Sequence, residues 1–119
     1  MSSIVLWVSE INRQADFYSA LLDAPVTSKS DEFCEVGDEK NSVLLHLLPE
    51  QYRSNGSSLA PAQGEVAIKP IFKVASINEA IARATAFDLR ISGSATQYGD
   101  ISFQDCIDPE GNVIQIAEG

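Results

Sequence analysis

The chain has 119 residues, 45% hydrophobic and 21% charged, with 7 Gly and 5 Pro. That length and balance predict one compact structural domain, whole or built of two half-size modules, and exclude disorder and low complexity. Eight basic against seventeen acidic residues leave a formal charge of −9, which argues against nucleic acid and anionic membranes as partners.

Met1, Ser2 and Ser3 run straight into an apolar strand pattern over 4–8, with no basic leader or cleavage site. No apolar run approaches the roughly 20 residues of a membrane span, so a soluble cytoplasmic protein is expected. Ile11, Ala15, Tyr18 and Leu22 follow at i, i+4, i+7 and i+11, with Phe17 and Leu21 widening the stripe. This is the spacing of an amphipathic helix. Short strands are expected over 26–29, 32–36 and 42–48, with a turn at 37–41. Cys34 lies in the second of these and Cys106 near the other end of the chain. With no C-x-x-C spacing they read as two buried thiols of a reducing compartment, a disulfide depending on geometry the sequence does not carry.

Residues 50–65, rich in Ser, Gly, Pro and Gln, read as a linker between modules at 1–49 and 66–119. Beyond it the pattern restarts. Val8-x-x-Ile11-Asn12 recurs as Val74-x-x-Ile77-Asn78, 66 positions later. A strand pattern over 68–74 leads into a helix carrying Ile77, Ala80, Ile81, Ala84 and Phe87. Ser76 and Glu79 form a capping box that sets its start. Strands are expected over 89–93, 100–107 and 112–117. Asp108, Pro109, Glu110 and Gly111 have the residue order of a type I turn joining the last two. The element order is β-α-β-β-β twice. The fold class is α+β, each helix covering one face of a mostly antiparallel sheet.

Three stretches carry a resemblance to a known family: Val8 to Ile11 leading to Phe17-Tyr18, residues 42–48, and the closing segment 108–116. They resemble the vicinal oxygen chelate superfamily of glyoxalase I, bleomycin resistance proteins and extradiol dioxygenases. The resemblance implies two paired βαβββ modules whose sheets form an open cup, with the helices outside. It also implies a homodimer, and four metal positions that fall here on Ser3, His46, Lys69 and Gln115. The fold hosts enzymes and pure binding proteins alike.

Strand alternation places Ser3, Val5 and Trp7, then Leu44 and His46, then Lys69 and Lys73, and finally Gln115 toward the cup. Metalloenzymes of this family use His, Glu or Gln at the four positions, and this chain departs at Ser3 and Lys69. A lysine must lose its proton to bind a metal, at about 4–5 kcal/mol near neutral pH, and a charged one repels a dication. No metal and no other cofactor are expected. The favoured reading is a metal-free small-molecule binding protein. Trp7 would stack a planar ligand, and His46, Gln115 and one of Lys69 or Lys73 would give polar contacts. Against this stand plain packing for Trp7, a carbonyl-satisfied half-buried His46, and a solvated pair of lysines. The alternative function is a metal-dependent glyoxalase-like lyase or isomerase, or a dioxygenase, with atypical ligands.

Overall fold

In the computed structural model, residues 2–53 and 67–119 are described. The first module runs β1 (Ser2–Val8), α1 (Ile11–Leu22), β2 (Val26–Lys29), β3 (Phe33–Gly37) and β4 (Asn41–Leu47). The second runs β5 (Ile71–Lys73), α2 (Ile77–Thr85), β6 (Arg90–Tyr98), β7 (Ile101–Ile107) and β8 (Val113–Glu118). Each module makes one four-stranded sheet, in the orders β1-β4-β3-β2 and β5-β8-β7-β6. The outer pairs β1–β4 and β5–β8 are parallel and the other pairs antiparallel. The repeat seen in the sequence is the repeat of the fold. Val8 ends β1, Val74 directly follows β5, and Ile11 and Ile77 each open a helix. Of the expected linker, Glu50–Tyr52 forms a single 3-10 turn, and residues 54–65 lie outside the described residues.

Two strands differ from their sequence patterns. β5 begins only at Ile71 because Pro70, lacking an N–H, cannot extend the ladder as a donor; its carbonyl still accepts from Gln115 N–H at 2.8 Å. β6 runs past Gly93 to Tyr98, because the register shift between Ser92 and Thr96 absorbs the glycine instead of stopping there. Gly93, with φ of 72°, takes up the bend.

The helix stripe is the core. Ile11, Ala15, Phe17, Tyr18, Leu21 and Leu22 are all buried on α1, against Val8, Cys34, Val36, Val43 and Leu45 of the first sheet. Fully burying one such large side chain contributes about 1.5–3 kcal/mol. On α2 the buried residues are the smaller Ile77, Ala80 and Ala84. Both cysteines are buried free thiols.

The modules are joined by side chains reaching between them. Asp108, wholly buried in the β7–β8 turn, accepts from Tyr18 OH at 2.7 Å and Gln14 Nε2 at 3.0 Å on α1. Glu110 of the same turn accepts from Ser9 N–H at 2.7 and 2.9 Å and from Glu10 N–H at 3.0 Å. Arg83 on α2 donates to the carbonyls of Ala20 and Leu21 at the end of α1. Asn41 makes a two-way amide pair with the backbone of Lys73.

Candidate ligand-binding faces

Each sheet has one face under its helix and one face left open, and the period of two decides which residues stand on which. In the first sheet Val43 and Leu45 are wholly buried, so Leu44 between them and His46 beyond lie on the open face, and Ser42 shares that side but is itself buried. Register puts Ser3 beside Ser42, Val5 beside Leu44 and Trp7 beside His46. Trp7 is 54% exposed and Val5 49%. Trp7 is therefore a surface ring, not core.

The Trp7 and His46 rings lie 4.2 Å apart between centroids, tilted by 36°. Phe33, opposite His46 on β3, meets the imidazole edge-on at 6.4 Å. Three aromatic rings from three adjacent strands thus make one row. His46 Nδ1 lies 3.1 Å from the Leu47 carbonyl. That bond needs the proton on Nδ1, which leaves Nε2 of a neutral ring as an acceptor. One ring nitrogen is thus satisfied by backbone, while the ring itself stands on the open face beside a tryptophan.

On the second sheet Lys69 and Gln115 are brought together by Asp105, a residue the sequence did not single out. Lys69 Nζ pairs with Asp105 Oδ2 at 2.7 Å, and Gln115 Nε2 donates to Asp105 Oδ1 at 2.9 Å. Register explains it, because Asp105 on β7 stands directly opposite Gln115 on β8. No local signal marks such a pair, since the partners meet only through strand pairing. The amide oxygen of Gln115 has no donor among the described residues, and Lys69 has no second acceptor among them. Glu35 was likewise missed: it accepts from Ser42 Oγ at 3.0 Å and Thr27 Oγ1 at 3.2 Å, beside a cavity of about 410 Å³.

Lys73 shares the side of β5 that carries Ile71, two residues away, and lines a second cavity of about 580 Å³ at the module junction. Ser3 stands four residues before Trp7, roughly 13 Å along the strand at 3.3 Å per residue, so it does not meet His46.

A metal does not fit these residues. Ser3 and His46 are in different rows of the first sheet. The Lys69 amine is committed to an ion pair, and the Gln115 amide nitrogen donates to the same carboxylate. A borderline divalent ion wants several imidazole, thiolate or carboxylate groups at one point, and among the described residues no three His, Cys, Asp or Glu converge. No helix among them is long and apolar enough to cross a membrane.

No protein-family model matches the chain, and no curated protein matches it in sequence. Solved structures do match. A glyoxalase/bleomycin resistance protein from Albidiferax ferrireducens T118 superposes with a TM-score of 0.74 at 14% identity, over 100% of this chain and 98% of the other. A glyoxalase/bleomycin resistance protein/dioxygenase family enzyme from Burkholderia phytofirmans PsJN gives 0.73 at 16%, over 98% and 96%. The bleomycin resistance determinant encoded on the transposon Tn5 gives 0.67 at 9%, over 100% and 97%. At such identities the shared property is the architecture: this chain has the two-module fold of the glyoxalase/bleomycin resistance/dioxygenase structures, that of the vicinal oxygen chelate superfamily.

Proposed function

We propose that the protein is a metal-free small-molecule binder of the cytoplasm, working as a homodimer, with a planar or aromatic ligand of strongly polar edge held on the open sheet faces. The observation that carries this reading is the stack of Trp7 on His46 at 4.2 Å, edged by Phe33, on an open sheet face. A ring laid on such a row gains about 0.5–1.5 kcal/mol beyond its buried area. His46 Nε2, the Gln115 amide oxygen and Lys69 would fix its orientation. Asp105 sets a condition on Lys69: an acidic ligand edge must share the ammonium with a carboxylate already 2.7 Å away. Sequestration asks only for apolar area and a few polar anchors. That a bleomycin resistance determinant shares the fold favours this role, and two buried free thiols suit a reducing compartment.

Trp7 is the sole tryptophan, so its emission reads the open face directly. Titration with planar aromatic acids and planar antibiotics is expected to quench or shift that emission saturably. His46→Ala and Lys69→Ala are each expected to weaken binding about tenfold, the equivalent of 1.4 kcal/mol. An accessible Trp7 that no ligand in the panel perturbs would remove the proposed ligand class. Binding that survives both substitutions would remove the proposed anchors.

A further inference from the structure

The two ends of the module junction are built alike, the β7–β8 turn being one residue longer, and are filled differently. In the β7–β8 turn, Asp108 Oδ1 accepts from the N–H groups of Glu110 and Asn112. In the equivalent β3–β4 turn, Asp38 Oδ1 accepts from those of Lys40 and Asn41. Glu110 and Lys40 are thus counterparts. At one end the Glu110 carboxylate crosses the junction and takes the N–H groups of Ser9 and Glu10. The repeat of 66 residues makes Ala75 and Ser76 the counterparts of Ser9 and Glu10. At this second end their N–H groups have no acceptor among the described residues, and the residue in Glu110's place is a cation.

The space left is the cavity of about 580 Å³. Lys40 and Lys73 line it, and neither side chain has an ionic partner among the described residues. Asp38 and Glu79 stand in the same lining; Asp38 Oδ2 and the Glu79 carboxylate are likewise without a donor. Leu22 and Val74 give it apolar wall. Asp23 and Glu118 add two more carboxylates to the lining, and Arg83 a third cation whose guanidinium is taken up by the Ala20 and Leu21 carbonyls, so a ligand carrying negative charge alone would meet an excess of acids.

We propose that this junction cleft binds a small zwitterion of the α-amino-acid type with an apolar side chain, its carboxylate at Lys40, Lys73 and the Ala75 amide, its ammonium at Asp38 and Glu79. The carboxylate takes the place that Glu110 holds at the other end. The apolar side chain lies toward Leu22 and Val74. This site lies at the module junction, meeting the open face of the second sheet at Lys73 and Ala117, and it goes beyond the binding role proposed for the open faces.

The experiment uses the full chain and L-leucine as probe, followed by calorimetry and by amide chemical shifts. Saturable binding is expected, with shifts at Lys40, Ala75 and Glu79 and no change in Trp7 emission. The singly charged analogues 4-methylpentanoate and 3-methylbutylamine are expected to bind at least about tenfold more weakly. Lys40→Glu should abolish binding by placing a carboxylate where Glu110 stands at the other end. Lys40→Ala, at an exposed position, should weaken binding about tenfold and serves if the first variant does not fold. The proposal is overturned by any of three results: no saturation up to about 10 mM, at which a binding free energy is under 3 kcal/mol; equal binding of a singly charged analogue; or binding unchanged by Lys40→Ala.

Discussion

Asp108 has no exposed surface and takes five hydrogen bonds, from Gln14, Tyr18, the Glu110 N–H, and both the backbone and side-chain nitrogens of Asn112. A buried carboxylate is tolerable only when so completely satisfied. Asp108→Ala leaves Tyr18 OH and Gln14 Nε2 without acceptors. It is expected to lower stability by about 3 kcal/mol in urea unfolding. Burial, followed by the nearby Asp108 carboxylate, pushes the Tyr18 hydroxyl well above its usual value near 10. The folded state therefore holds this proton more tightly than the unfolded chain. The stabilisation is complete below pH 10 and is lost progressively as the pH climbs above it. Tyr18→Phe should accordingly cost about 1–2 kcal/mol at pH 7, and its deficit against the parent should shrink above pH 10. Cys106 is held as a thiol, pushed by burial to about 11, and burial also raises Cys34. Neither should react with a disulfide reagent at pH 8 in the native protein, and both should react in urea.

The two helices end differently, and each end says where its stability comes from. Ser76 Oγ accepts from Glu79 N–H at 3.2 Å, half of the capping box expected from the sequence. The other half is not closed by Glu79; Glu118 takes the next free donor instead, Ile77 N–H. Ser76→Ala should cost about 1 kcal/mol in urea unfolding. α1 has no side-chain cap of its own at Glu10, and its start is held by Glu110 from about a hundred residues away. Burial raises the Glu110 pKa, while the Ser9 and Glu10 N–H groups pull it back down. At the far end Asp23, with φ of 50° and ψ of 49°, turns the chain out of α1 in a left-handed cap. On α2, Ala80 and Ala84 occupy the places that Gln14 and Tyr18 hold in the repeat, so α2 sends no comparable polar side chain toward the β3–β4 turn.

Across the whole molecule, Val5, Trp7 and Ile71 remain 49%, 54% and 55% exposed, and β5 and β1 are sheet edges. Apolar faces and free edges of this kind are commonly closed by a second copy. Light scattering at high micromolar concentration is expected to give twice the chain mass of 12.9 kDa, and a single-chain mass would contradict the dimer. The amino-acid order by itself determined what is local. The spacing of Ile11, Ala15, Tyr18 and Leu22 made one helix face, and alternation put Trp7, His46 and Gln115 on open strand faces. The recurrence of Val8-x-x-Ile11-Asn12 made two modules, because helix and strand periods are properties of neighbouring residues. Pairing is not local. Only the tertiary structure decided that Trp7, not Ser3, stands beside His46, and that Asp105 joins Lys69 to Gln115. Only docking of the modules decided that Asp108 and Glu110, which read as turn residues, reach across to α1. Each of those contacts joins residues between 10 and 101 positions apart. Register and docking, set by which apolar faces bury together, bring such groups within reach.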